Sequence, residues 1–286
     1  MNELIVFEKD QKSKDISLGL LKQTASLADP FSGLLPNSRP IEHWQLIEQI
    51  SETVDKAKLK YKLDPIWISK GESKKIRQLD PDNVGIPESY LFQRLVTRIN
   101  ILTPDFVQHG VNTSIAIGYT ERGIQIAFGA NVKICSNMCI FGGNLMHTYG
   151  DNKMPYDKMM QLVEKNIQEL DSIAKRDFHI LDRFRDTPIN QQEMITSIGE
   201  LHIQAVQGTY FGGQSPLNIG QVSNLTKGLV KLTPDILTTS NDNIISLFDF
   251  YNMGTEILHP SKTEITTLLP DTLQWGNYLT NRYNLN

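Results

Sequence analysis

A chain of 286 residues can bury a full hydrophobic core and falls between one large domain and two ordinary ones. Hydrophobic residues make up 40% and charged residues 21%, which excludes global disorder and a fibrous repeat. The formal net charge of −4 supplies no basic field for capturing a phosphate backbone, so nucleic-acid binding would need a local patch.

The opening residues Met1 to Asp10 lack a basic segment followed by an apolar run, and no stretch approaches the ~18–20 apolar residues that span a bilayer; the expected location is the cytoplasm. Asp29 to Pro40 is rich in proline, glycine and serine and reads as a loop between an N-terminal arm and the body. Ile41, Trp44, Ile47, Ile50, Val54 and Ala57 recur at three- and four-residue spacing, which predicts an amphipathic helix over 40–61. Pro65 to Ile68 is a short strand candidate, residues 70–87 read as a loop, and Tyr90–Ile101 fits helix or strand.

Ser114–Phe128 gives the clearest local signal. Ile115, Ile117 and Tyr119 alternate with small residues, as do Ile124, Ile126 and Phe128 after Glu121-Arg122-Gly123, so a β-hairpin with one apolar face is expected. Asn131–Phe141 reads as a third strand closed by Gly142-Gly143. From Pro155 the period changes. Tyr156, Met160, Val163, Ile167, Leu170, Ala174, Phe178 and Leu181 predict one long helix that stops at Thr187-Pro188. Asn190 and Glu193 have the spacing of a capping box opening a second helix to Gly208, the two forming a helical hairpin. Shorter helices are expected through Leu217–Leu229 and over Asn241–His259.

The chemistry-bearing residues are sparse. Cys135, Cys139, His147 and Asp151 could be assembled into four ligands, but the spacing is wrong for a zinc knuckle, and buried packing is the favoured reading of the two cysteines. Glu256 and His259 have the Glu-x-x-His spacing of bundle metalloproteins without a second copy, so a histidine at a helix C-terminus is favoured. Gly142-Gly143 and Gly212-Gly213 lack the flanking residues of phosphate-binding loops and read as turns. No nucleophile elbow, His-Glu-x-x-His helix, kinase signature or cofactor motif is present; an enzyme with dispersed residues, first tested at His147 or Asp151, stays open.

Two binding surfaces suggest themselves. The helical stripe Tyr156, Met160, Val163, Ile167 and Leu170 is long enough to face another copy or a partner as well as a core. Lys70, Lys74, Lys75 and Arg77, flanked by Trp67 and Tyr90, combine cations and stacking rings as a single-stranded nucleic-acid groove does, although a simply solvated loop is the favoured reading.

Ser114–Gly143 (SIAIGYTERGIQIAFGANVKICSNMCIFGG) and Ser246–Glu256 (SLFDFYNMGTE) together resemble the phage/plasmid-like family of domains of unknown function. That resemblance implies a prophage or conjugative-element origin and no agreed activity. Accessory proteins of that setting act by binding host proteins, and inhibitors of antiviral complexes such as Gabija are one class of them.

The expectation is an α/β (α+β) protein: an α/β domain over 1–150 with an N-terminal arm and a β-meander, and a mostly helical domain or extension over 151–286. The expected role is non-enzymatic, without cofactor or metal: a homo-oligomer that binds and inhibits a host defence complex. The alternative is a single-stranded nucleic-acid-binding accessory protein.

Overall fold

The computed structural model describes residues 13–28, 41, 43–70, 92–120, 123–132, 140–147, 155–211, 215, 217–232, 244–258 and 265–285. Its centre is an eight-stranded antiparallel sheet. Strands β1 (Ser13–Ile16), β3 (Ile66–Lys70), β4 (Phe92–Ile101), β6 (Val111–Thr120), β7 (Gly123–Val132) and β8 (Phe141–His147) lie side by side in chain order. Two short strands, β2 (Tyr61–Leu63) and β5 (Val107–Gln108), pair with β4 and β6. Among the described residues eight helices accompany the sheet: α1 (Leu18–Ala28), α2 (His43–Lys56), α3 (Tyr156–Gln168), α4 (Leu170–Asp186), α5 (Gln191–Phe211), α6 (Ile219–Leu232), α7 (Leu247–Ile257) and α8 (Ile265–Arg282). The class is α+β.

The expected hairpin is present as β6 and β7, paired from Val111↔Val132 to Thr120↔Gly123. Tyr90–Ile101, ambiguous from its spacing, supplies β4: β-branched residues decide in favour of the strand once both its faces are covered. Asn131 and Val132 end β7 and Phe141 opens β8, so the two ends of the third-strand reading of 131–141 fall in different strands, while 133–139 lie outside the described residues. Gly142 and Gly143 do not close that strand but lie inside it, where the β7–β8 register shifts and Gly142 takes a φ of 73°. His109 and Gly110 join β5 to β6 with φ values of 46° and 78°, the pair of positive angles that a type I′ hairpin turn requires.

One face of the sheet is apolar: Leu95 and Ile99 on β4, Ile115, Ile117 and Tyr119 on β6, and Ile124, Ile126 and Phe128 on β7. Helix α2 covers it at Tyr119, whose ring lies 4.2 Å from His43 and whose hydroxyl donates to the Ile41 carbonyl at 2.5 Å. The opposite face carries Arg98, Asn100, Asn112, Ser114 and Asn131, and these are buried too. Helix α8 lies over this side, with Leu269 in close contact with the space above Gly118. Both faces are therefore enclosed, and only one of them is the apolar face expected of the hairpin.

Residues 13–28 are not a loose arm: β1 pairs with β3 from Ser13↔Ser69 to Ile16↔Ile66, and α1 packs on α2. The helix expected over 40–61 is shorter. It ends at Lys56, Lys58 takes a left-handed φ of 57°, and the chain enters β2 at Tyr61. The long helix expected to stop at Thr187-Pro188 does end at Asp186 but is broken at Glu169 into α3 and α4. The expected hairpin of that helix with the next is not formed. Between them β9 (Pro188–Asn190) pairs with β10 (Ile244–Ser246), α4 packs on β7 and α7, and α5 packs on α6. Since α4 and α8 both pack on the sheet, the segments before and after residue 150 share one core.

Candidate interaction surface

The basic loop of the nucleic-acid reading falls largely outside the described residues. Lys74, Lys75, Arg77 and Tyr90 are among those not described, and Lys70 is the last residue of β3. Trp67 is half-buried in the same strand, opposite Val96 and packed against the core. Cys135, Cys139, Asp151, His259 and the Gly212-Gly213 pair also lie outside the described residues, while His147 sits in β8 opposite Gln125. Among the described residues, no group of three His, Cys, Asp or Glu side chains is placed to hold a metal ion. No helix there is long and apolar enough to cross a membrane.

The helical stripe proposed as an oligomer face belongs mainly to the core of the single chain. Val163, Ile167 and Leu170 are buried, and Tyr156 and Met160 are partly buried against the same cluster. Tyr156 also donates its hydroxyl to Gln49 Oε1 at 2.5 Å, tying α3 to α2; burial, aided by the Asp157 charge, pushes its phenol up to about 12. Burial of Val163, Ile167 and Leu170 in this cluster takes that part of the stripe out of reach of a partner.

Two polar clusters stand out. On the enclosed polar face of the sheet, Arg98 donates from Nε to Asp64 Oδ2 at 2.8 Å and from a terminal nitrogen to Asn131 Oδ1 at 2.7 Å. Asn131 Nδ2 and Ser114 Oγ both donate to Asn100 Oδ1, so the arginine is held in a closed network. At the surface, Asp182 on α4 accepts from Gln108 Nε2 at 2.7 Å and Arg185 at 2.5 Å, and His109 Nδ1 lies 3.3 Å away. Arg185 also donates to the His109 carbonyl, and its guanidinium lies over the Phe248 ring. The first cluster locks neighbouring strands together and the second ties β5 and its turn to α4.

The outermost helices behave differently. Helix α5 buries Met194, Ile198, Leu201 and Ala205. Its side toward α8 is fixed by polar contacts: Arg282 pairs with Glu200, and the Tyr278 hydroxyl donates to the Ser197 carbonyl at 3.3 Å. Burial, reinforced by Tyr283, raises the Tyr278 phenol to about 12. Its start is fixed by the expected capping box, Glu193 N–H donating to Asn190 Oδ1 and Asn190 N–H to Glu193 Oε2. With its inner side anchored, α5 turns Ile195 (41% exposed) and Ile203 (57%) to solvent. Val230 on α6 (50%) and Ile244 on β10 (63%), which pairs with β9 just before α5, are also exposed. Leu102 is the other large apolar side chain in this class, so four of the five named fall between residues 195 and 244.

This surface was missed in the sequence, where the inner stripe of α5 was read and the second was not. The signal is Ile195, Ile203 and Val206 interleaved with Met194, Ile198 and Leu201, which makes the helix apolar on two sides. No family model matches the chain, and no curated protein or solved structure matches it at a significant level.

Proposed function

We propose that this chain acts by binding protein and performs no catalysis: it self-associates and engages a host protein complex. The antiviral complexes of the Gabija type are the class brought forward by the resemblance of Ser114–Gly143 and Ser246–Glu256 to mobile-element proteins. The observation supporting the reading is that Ile195 and Ile203 on α5, Val230 on α6, which packs on α5, and Ile244 on β10 are all exposed. Exposed aliphatic side chains are stabilised by a partner that removes them from water, at about 25 cal/mol per Å² of apolar surface.

The test is affinity capture of the tagged protein from bacterial lysate, with and without nuclease, beside the variant Val230→Glu/Ile244→Glu. A stoichiometric complex that survives nuclease and is lost in the variant is the expected result. Recovery that vanishes with nuclease would move the reading to single-stranded nucleic acid, and hydrolysis of nucleotide or nucleic acid at catalytic rates would overturn it.

A further inference from the structure

We propose that the outer face of α5 pairs with the same face of a second copy, the two helices crossing antiparallel about a two-fold axis at Gly199. The inference rests on the reading of the outer helical layer as an interface, and it names one occupant for the α5 part of it.

At about 100° per residue, Gln192, Ile195, Gly199, Ile203 and Val206 fall on one stripe centred on Gly199, roughly opposite the buried Met194, Leu201 and Ala205. A two-fold axis at Gly199 sets each residue before it against the residue equally far after it. Ile195 of one copy then meets Ile203 of the other, Thr196 meets His202, and Gln192 meets Val206. At the centre the isoleucines face each other, and the pairs around them bring no carboxylate, lysine or arginine to the seam.

An isologous contact has a particular electrostatic requirement: a charged residue near the axis faces its own copy. The α5 stripe satisfies that requirement, since it contains no carboxylate, lysine or arginine. The acidic residues of α5 are turned away and occupied, Glu200 by Arg282 and Glu193 by its capping bond to Asn190. Charge depletion at the centre of a patch is what distinguishes interface cores from ordinary surface.

Glycine at the axis supplies the remaining condition. Among the described residues a Cβ on Gly199 would find no heavy atom within 4 Å, so none of them requires a glycine there. In the interior of a helix glycine is also unfavourable relative to alanine. A second helix crossing over it gives the missing side chain a use, because the two backbones can approach until the isoleucines on either side interlock.

Native mass or sedimentation of the purified full-length chain over a concentration series tests the inference without any other partner present. The expected species is twice the 32.4 kDa chain. Ile203→Glu, at an exposed position, should keep its far-UV spectrum and melting temperature while raising the dimer dissociation constant by roughly ten-fold or more. Gly199→Ala should melt no lower than the parent and still weaken the dimer. A parent chain that stays at 32.4 kDa throughout overturns the inference, and so does a dimer indifferent to both substitutions, which would use another surface. In either case capture that still depends on Val230 and Ile244 would leave the protein-binding reading standing.

Discussion

A Cβ added to Gly254 would lie 2.3 Å from both Cε2 and Nε1 of Trp275, which heads the fully buried side chains by size. The indole fills the space beside α7 that this glycine leaves, donates from Nε1 to the Tyr251 carbonyl at 2.9 Å and meets Phe250 edge-on at 5.6 Å. The contact is with the body of a packed ring, which cannot swing aside. Gly254→Ala should therefore cost about 1–3 kcal/mol through overpacking, even though alanine is the better helix former. Urea unfolding would show a lower midpoint with an unchanged slope.

The Arg98–Asp64 pair makes a second prediction. The arginine side chain is 5% exposed and the aspartate 15%, so removing the carboxylate leaves a cation enclosed against a protein interior. Asp64→Ala should cost about 3–5 kcal/mol, while replacing both residues by apolar ones of similar volume should recover most of that. The double-mutant cycle in denaturant measures the difference.

Two strongly raised tyrosines predict alkaline behaviour. Tyr156 and Tyr278 hold their protons to about 12 in the folded chain, against 10.0 for an ordinary phenol. A folded pKa above the unfolded value means that the folded state binds more protons between the two. The stabilisation is complete below about pH 10 and is lost as the pH rises toward 12. Phenolate absorbance should therefore show late-titrating tyrosines, and Tyr156→Phe and Tyr278→Phe should each remove one of them.

Helix starts predict smaller effects. Ser246 opens α7 with a capping box, accepting from the Asp249 N–H at 3.1 Å while the Asp249 carboxylate accepts from the Ser246 N–H. Ser246→Ala and Asn190→Ala should each destabilise by ~1 kcal/mol, measured as parallel shifts in thermal or denaturant midpoints.

The sequence carried the hairpin and the capping boxes because both are local: alternation about Gly123, and a side chain three residues from its partner, require no knowledge of distant contacts. Ser246 and Asp249 had the same spacing as Asn190 and Glu193 and were read only as helix interior. Helix α8 was not anticipated. Leu269, Leu273, Trp275 and Leu279 give it a buried stripe, but Pro270 stands inside it and reads as a breaker; placed one turn from the start, it sacrifices little of the hydrogen-bond ladder. The break at Glu169 was invisible because the apolar spacing runs through it undisturbed. The candidate surface was the hardest to read. Periodicity identifies apolar stripes but not which of two stripes a neighbour will cover, and on α5 that choice is made by α6 and α8.

The polar side of the sheet has a consequence for how the chain comes to be made. Leu21 and the α2 residues Leu46, Ile47 and Ile50 are synthesised before the strands, so the isoleucine-rich face has its cover waiting as β4, β6 and β7 form. Its other face must wait for α4 and α8, both of which follow the strands in the chain. That face carries asparagine, serine and arginine, which water solvates in the interval and which offer a neighbouring nascent chain little apolar surface to stick to. The side of the sheet left open longest is the side that tolerates being open.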